Sequence, residues 1–260
     1  MSVSTHPIIF CGAGPGDPDL ITVKGQQALQ EADLIVYAGS LVPEAVLSWA
    51  RPEVPKINSA GMHLDAIIDQ VASAHAQGKK VVRLHTGDPS LYGAIQEQMN
   101  ALKQRSIPYT VIPGVTAAFA AAAAMGIEYT LPEVSQTLIL TRMAGRTPVP
   151  EKENLADLAR HQTSMAIYLS ISLIDEVADI LIDHYGEDTI CAIAYRVSQP
   201  EEKIFYMPLK RLAAAVRKEN ITRQALIIIG QVLGKIGDGA TYTSKLYDKA
   251  FSHGYRTQQK

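Results

Sequence analysis

Gly12-Ala13-Gly14-Pro15-Gly16-Asp17-Pro18 follows directly on the apolar run Pro7-Ile8-Ile9-Phe10-Cys11. A short buried strand that runs into a glycine-rich turn is the opening of an α/β unit, and the sequence that follows keeps the pattern. Helical spacing covers Thr22 to Glu31, and Leu34 to Tyr37 reads as a second strand. A helix is expected over roughly Pro43 to Ala50. From Leu64 to Ala76 the apolar residues Leu64, Ile67, Ile68, Val71 and Ala72 share one helical face, with Gly78 as the stop. Val81 to His85 is a third strand, Gly93 to Arg105 a helix and Pro108 to Ile112 a further strand. Strand and helix in alternation predict an α/β domain with a mainly parallel sheet.

Pro113-Gly114 interrupts this rhythm. The helix after it, Val115 to Met125, is alanine-rich and carries no charge, so it is expected to be buried between layers. Strands follow at Gln136–Thr141, Met165–Leu169, Ile190–Tyr195, Glu202–Met207 and Ala225–Val232, with helices at Leu173–His184 and Lys210–Lys218. The Ser198-Gln199-Pro200-Glu201 turn between two strands implies an antiparallel pair, hence a mixed sheet in this half. The expected organisation is an N-terminal domain over 1–113, a C-terminal domain over 114–240 and a polar, aromatic tail over 241–260. The tail reads either as a packed segment or as an oligomer contact.

Composition excludes several classes. The 260 residues carry 24 basic and 26 acidic side chains, a net charge of −2, which rules out a globally basic nucleic-acid binder. Hydrophobic residues at 47% against 19% charged allow a sizeable core. Two cysteines, Cys11 and Cys191, make neither a disulfide framework nor a cysteine zinc site, and read as small apolar strand residues in a reducing compartment. The 7 histidines show no metal spacing, so no metal is expected. Met1 to His6 lacks a basic segment leading into an apolar run, and no apolar stretch reaches the ~18 residues of a membrane span. A cytoplasmic protein is the expectation.

The glycine loop invites a dinucleotide-binding reading, which three features oppose. The third glycine of the fingerprint is replaced by Asp17. Pro15 and Pro18 remove backbone donors that a phosphate would use. The second strand ends Val36-Tyr37-Ala38, with no acid for a ribose. Two further loops follow strands: Thr86-Gly87-Asp88-Pro89-Ser90-Leu91-Tyr92-Gly93 and Pro113-Gly114-Val115-Thr116-Ala117. In an open parallel sheet the C-terminal strand ends face a common crevice, so these loops are expected to converge. They hold no Walker lysine, nucleophile elbow or histidine pair. The crevice is one that binds and orients.

These three motifs, in this order and over nearly the whole chain, resemble the tetrapyrrole methylases. Tyr37-Ala38-Gly39-Ser40-Leu41-Val42, Thr141-Arg142-Met143-Ala144-Gly145-Arg146-Thr147-Pro148 and Leu246-Tyr247-Asp248 resemble the branch that methylates carbon 11 of precorrin-4 or cobalt-precorrin-4 in cobalamin synthesis. The resemblance implies a two-domain α/β fold, with a mainly parallel N-terminal sheet and a mixed C-terminal sheet, each flanked by helices. It implies a homodimer that uses S-adenosyl-L-methionine, releases S-adenosyl-L-homocysteine, and binds the cofactor in a cleft between domains. Cofactor contacts would fall on Pro15, Thr86, Gly87, Asp88, Leu91, Thr116 and Ala117, with backbone contacts near Leu169 and Ala225. Many relatives carry methionine where Leu169 stands.

The remaining chemistry follows from the ligands so implied. Asp88 is the candidate catalytic acid, for cation stabilisation or cofactor contact; an Asp that caps a turn or helix is the equal alternative. A macrocycle rich in acetates and propionates suits arginine forks, so Arg142, Arg146 and Arg196 are candidate substrate residues, against solvated surface arginines. Tyr92 and Tyr195 either pack on the macrocycle or fill the cleft. His85 either touches substrate or is a hydrogen-bonded strand-end histidine, the more expected of the two. Lys24 is placed near the cleft mouth. Other readings are a different tetrapyrrole methylase, such as the uroporphyrinogen III methyltransferase that forms precorrin-2, and a non-enzymatic tetrapyrrole binder. A nicotinamide oxidoreductase is disfavoured by the loop, and an RNA substrate by the lack of a basic, aromatic-rich stretch. Neither nucleic acid nor membrane is an expected partner.

Overall fold

The structure is a computed structural model that describes residues 6–236, 242–248, 250–252 and 254–256. By contacts the chain forms two compact units: Met1–Ala121 with Arg196–Glu202, and Ala122–Tyr195 with Lys203–Lys260. The expected 1–113, 114–240 and 241–260 partition was drawn on breaks in composition, and these units are drawn on contacts.

The first unit is built on strands β1 (Ile8–Gly12), β2 (Leu34–Tyr37), β3 (Lys56–Asn58), β4 (Val81–His85) and β5 (Tyr109–Ile112). They form one all-parallel sheet in the order β3-β2-β4-β1-β5. Its helices are α1 (Val23–Glu31), α2 (Leu64–Ala76) and α3 (Ile95–Gln104). A parallel sheet needs cover on both faces, which is why its strands are near-continuous apolar runs. On one face Cys11, Ile35, Val82 and Leu84 pack with Leu29 of α1 and with Val46 and Leu47. On the other, Ile8, Phe10, Val36 and Val81 pack with Ile67, Ile68 and Val71 of α2 and Leu102 of α3. Alternation along β4 puts Arg83 and His85 into this second layer. The buried Arg83 donates from Nε to Gln98 Oε1 on α3 (3.1 Å) and from Nη1 to the Val36 carbonyl (3.2 Å).

Several elements differ from expectation. Glu44–Trp49 is a 3-10 helix, started by Pro43 and anchored by buried Val46 and Leu47. The strand β3 is three residues long at the sheet edge, too short for any periodicity to announce it. The alanine helix, α4 (Ala117–Met125), is not wholly buried: Ala118, Ala120 and Ala121 are covered, Phe119 is 55% exposed, and Ala123 and Ala124 are open. An uncharged composition without periodicity says nothing about which faces will be covered.

The second unit carries β6 (Leu138–Arg142), β7 (Ser164–Tyr168), β8 (Ile190–Tyr195), β9 (Lys203–Pro208) and β10 (Ala225–Ile229), with α5 (Leu155–Ala159), α6 (Ile174–Tyr185) and α7 (Leu212–Lys218). The order is β6-β7-β10-β8-β9; β6 and β7 run parallel and the other pairs antiparallel, the mixed sheet expected. One face, with Met165, Ile167, Cys191, Ile193, Ile227 and Ile229, packs against Leu155, Val177, Leu181 and Leu212 of the helices. The short α5 is an addition to the expected elements. The last strand stops at Ile229 and not at Val232. Gly230 turns the chain at φ +153°, where a Cβ would stand 2.9 Å from Ser164 Cα. Val232 and Leu233 are then buried from a 3-10 turn. Helix α7 likewise starts two residues late, after a 3-10 turn over Leu209–Arg211.

Among the described residues no helix is long and apolar enough to cross a membrane. Within the tail, Arg256 donates to the carbonyls of Leu246 (2.6 Å), Asp248 (2.6 Å) and Phe251 (3.3 Å), folding those segments together, while Tyr247 is exposed.

Both cysteines are the apolar strand residues expected, in β1 and β8. Burial pushes each thiol up to about 12. Neither should react with a thiol reagent at pH 8 in the native protein, and both should react in denaturant. Stoichiometric labelling under native conditions would show that β1 or β8 opens.

Candidate functional site

Strands β4, β1 and β5 are neighbours in the first sheet, so their C-terminal loops meet. Gly12 lies level with His85, and Cys11 with Ile112. One step further, Gly14 and Gly87 form a bridge: Gly87 N donates to Gly14 O (2.8 Å) and Gly14 N to Gly87 O (3.3 Å). Glycine is obligatory at this junction. A Cβ on Gly12 would stand 2.6 Å from both Gly114 Cα and the Gly87 carbonyl oxygen, and one on Gly114 would collide with that same oxygen. The expected convergence of the three loops is therefore direct backbone contact.

Asp88 ties two of them. Its Oδ2 accepts from Gly114 N (2.9 Å), and its Oδ1 from Ser90 N (2.8 Å) and the Ser90 hydroxyl. Burial pushes this carboxyl up, but the bonds from Ser90 and Gly114 outweigh it and hold the group below the usual carboxylate range. Asp88 is thus an ionised acid with both oxygens engaged in loop structure. Thr22, the N-cap of α1, accepts from Gly25 N (3.1 Å) and donates to Pro113 O (3.4 Å), linking the first loop to the third. Trp49 Nε1 donates to Pro18 O (3.1 Å).

The remaining cofactor candidates of this unit lie around that junction. Pro15 is buried in the first loop, Thr86, Gly87 and Leu91 are half-buried in the second, and Thr116 is buried beside half-buried Ala117 at the start of α4. Tyr92 is exposed, with a left-handed backbone at φ +56°. His85 supports the junction from below: its carbonyl accepts from Ala13 N (2.7 Å), and its ring packs on Phe10 with centroids 6.0 Å apart. Burial, then the charge of Arg83, pushes the imidazole down to about 3. The Nε2 atom has no hydrogen-bond partner, so the strand-end reading of His85 holds for its place and not for a bond at that nitrogen.

The second unit gathers its own candidates at one end of its sheet. Arg142 pairs with Tyr168 across β6 and β7, and Ala225 pairs with Tyr195 across β10 and β8. Ile227 faces Ile167 across β10 and β7, and continuing that register brings Leu169 level with Ala225. Leu169 is itself exposed, at φ +54°. The Arg142 guanidinium donates to the carbonyls of Met143 (3.4 Å), Thr147 (3.1 Å) and Pro148 (2.5 Å). It therefore shapes the loop that presents the exposed Arg146. Arg196, grouped with the first unit, pairs with Glu201 at 3.5 Å.

Sequence reading missed Ser198 and Gln199, which touch the glycine loop. Ser198 Oγ accepts from Asp17 N (3.0 Å) and Gln199 Nε2 donates to Pro15 O (3.4 Å). Their only signal was a Ser-Gln-Pro-Glu turn, which predicts a reversal and not its partner. Among the described residues no cluster of three or more metal-ligating side chains occurs. What remains is a glycine-walled junction, edged by hydroxyls and one ionised carboxylate.

The sequence matches the family of Tetrapyrrole (Corrin/Porphyrin) Methylases over residues 7–213. The chain belongs to the tetrapyrrole methylases. A Methanocaldococcus jannaschii protein named cobalt-precorrin-4 C(11)-methyltransferase is 53% identical over 259 residues, 99% of this chain and 98% of that protein. A Pseudomonas aeruginosa protein named precorrin-4 C(11)-methyltransferase is 47% identical, across 96% of this chain and 98% of its own. The crystal structure of a cobalt precorrin-4 methyltransferase superposes with a TM-score of 0.85 at 46% identity, covering 87% of this chain and 95% of that one. The α/β architecture and the motif-based family expectation therefore hold for this methylase.

Two outcomes follow from the geometry. Gly114→Ala should destabilise the protein by about 1–3 kcal/mol or prevent folding, because backbone must move to admit the methyl. Gly61→Ala, with nothing within 4 Å of where the added methyl would stand, should stay within about 0.5 kcal/mol of the parent in urea unfolding. The second outcome concerns pH. His85 is neutral in the folded protein down to about 3, and an unfolded histidine gains its proton below about 6.5. The stability it contributes is thus complete above pH 6.5 and lost as pH falls toward 3, by at most about 1.4 kcal/mol per pH unit. His85→Met should flatten the stability profile between pH 4 and 6.5 relative to the parent; parallel profiles would refute the neutral assignment.

Proposed function

We propose that this methylase transfers a methyl group from S-adenosyl-L-methionine to carbon 11 of precorrin-4 or cobalt-precorrin-4 in corrin-ring synthesis. The observation that carries the reading is the glycine junction of Gly12, Gly14, Gly87 and Gly114 in a chain 53% identical to a protein bearing that name. The reading keeps 1–113 as the principal cofactor half, 114–240 as the half that completes the site, and 241–260 as a tail. A cytoplasmic homodimer acting on a small molecule, with no nucleic acid or membrane partner, completes it.

The junction suits the cofactor chemically. Backbone approaches closely where side chains are absent, the buried Thr116 adds a hydroxyl, and the ionised Asp88 offers charge complementary to a sulfonium. When bound, S-adenosyl-L-methionine supplies an electrophilic methyl with its own leaving group. The protein's work is then to hold nucleophile and methyl in line at roughly 3–3.5 Å and to keep the approach rigid. The Gly14–Gly87 bridge and the Asp88–Gly114 bond supply that rigidity at Pro15, Thr86, Gly87, Leu91, Thr116 and Ala117, the proposed contacts. Leu169 and Ala225 are the further proposed backbone contacts to the cofactor.

A reduced tetrapyrrole carbon attacks as an enamine, so no strong base is needed to create the nucleophile. Asp88 then acts by its charge near the cation that forms, since both of its oxygens are engaged. In this reading Arg146 and Arg196 would take substrate carboxylates as forks and Tyr92 would pack on the ring, while Arg142, bonded to Thr147 O and Pro148 O, sets the loop that carries Arg146. Arg196 would exchange Glu201 for substrate.

The test is incubation of the purified protein with isotopically labelled S-adenosyl-L-methionine and, separately, precorrin-4, cobalt-precorrin-4 and uroporphyrinogen III. One added methyl at carbon 11, located by NMR, is the expected result. Conversion of uroporphyrinogen III to precorrin-2 would instead support the other methylase reading. Cofactor binding without transfer to any of the three would support a binding protein.

A further inference from the structure

Arg196–Glu202 joins β8 to β9 in sequence, yet its contacts group it with the first unit. There it lies against the half of the glycine loop that the sheet does not hold. Gly12 and Gly14 are fixed by neighbouring strand ends, but Pro15 and Pro18 have no N–H to give, so Pro15–Asp17 gains little from backbone pairing. Besides the local turn bonds to Asp17 from Asp19 N (2.9 Å) and Leu20 N (3.0 Å), it is bonded by side chains far away in sequence: Ser198 Oγ receives Asp17 N–H at 3.0 Å, and Gln199 Nε2 donates to Pro15 O at 3.4 Å. The Gln199 side chain also fills the space beside Gly16, where a Cβ would collide with its Cγ.

The segment is itself tightly determined. Arg196 and Ser198 both adopt left-handed backbone, at φ +45° and +64°, which non-glycine residues hold only when their surroundings demand it. Ser198 N donates to Glu202 Oε2 (2.6 Å), Gln199 N to Arg196 O (3.0 Å) and Glu202 N to Gln199 O (2.9 Å). Beside the contact lies a cavity of about 570 Å³ lined by Gly16–Pro18, Pro43, Ala45, Arg196 and Ser198–Glu201. The loop opens onto this space on one side, and Gln199 closes it on the side of Gly16.

We propose that Ser198 and Gln199 are positioning residues for methyl transfer, which set the Pro15–Asp17 stretch against the Gly87–Asp88 loop. The role rests on the cofactor reading above. Misplacement of a binding element by ~1 Å is enough to cost about a hundredfold in rate; Asp17 caps its own turn through Asp19 N (2.9 Å) and Leu20 N (3.0 Å), while Ser198, Gln199 and, at Pro18, Trp49 tie the stretch to distant segments.

The experiment compares Ser198→Ala, Gln199→Ala and Ser198→Asn with the parent. Asparagine tolerates left-handed backbone and keeps an oxygen for Asp17 N–H. Amide hydrogen exchange over residues 12–22 is measured without cofactor. S-adenosyl-L-methionine affinity by calorimetry, and KM and kcat with cobalt-precorrin-4, are measured alongside thermal midpoints. The alanine variants should exchange faster in 12–22 but not in β10, raise the cofactor Kd and KM about tenfold for the loss of one bond, and regain both in Ser198→Asn. A merely structural role would instead lower the thermal midpoint and the active fraction with KM unchanged, and would overturn the proposal. So would unaltered exchange in 12–22. If the parent bound no S-adenosyl-L-methionine, the cofactor reading would fail and positioning for methyl transfer with it; the exchange data would still report whether the two side chains hold the loop.

Discussion

At Gly12, Gly87 and Gly114 three backbone segments meet with no room for a methyl group between them. That close approach brings the ends of β4, β1 and β5 to a single junction, and every other feature of the first unit serves it. The parallel sheet makes the strands neighbours, apolar layers cover both of its faces, and α1 begins from a threonine that bonds across to Pro113. Side chains appear only at the margin, where Asp88 laces the second loop to the third. A junction made of backbone presents little charge and few rotatable groups.

The polar groups divide accordingly. Arg83 and His85 are buried beneath the junction. Desolvation lowers the Arg83 guanidinium to about 10, still charged at neutral pH, with Gln98 and the Val36 carbonyl as its partners. His85 stays neutral. Arg142 holds its own loop through three carbonyls, so one of three arginines that look equivalent in the sequence is a clasp for another. The net charge of −2 says nothing about this arrangement, because recognition of a polyanionic macrocycle depends on where a few forks stand.

Much of the fold was readable in advance. The runs Ile8–Gly12, Leu34–Tyr37, Val81–His85 and Ile190–Tyr195 are short, apolar and bounded by turn residues, and each is a strand at or within a residue of the expected bounds. Convergence of the three loops followed from the parallel sheet alone. Elements without periodicity were not readable: the three-residue β3, the five-residue α5, and the 3-10 turns where α-helices were expected to start. The alanine run of α4 gave no face to choose, and its partial exposure followed from packing. Phe119 stands open although its chain neighbours Ala117, Ala118, Ala120 and Ala121 are all apolar.

Order along the chain determines which segments become strands, which loops follow them and which glycines are available, because those depend on residues within a few positions of each other. The family and its motifs were readable for the same reason. Contacts across large separations are a different matter. Ser198 meets Asp17, and Gln199 meets Pro15, across more than half the chain, and nothing near either residue encodes that meeting. Likewise the engagement of both Asp88 oxygens, by Ser90 and by Gly114, is a matter of folded geometry that no spacing in the sequence expresses.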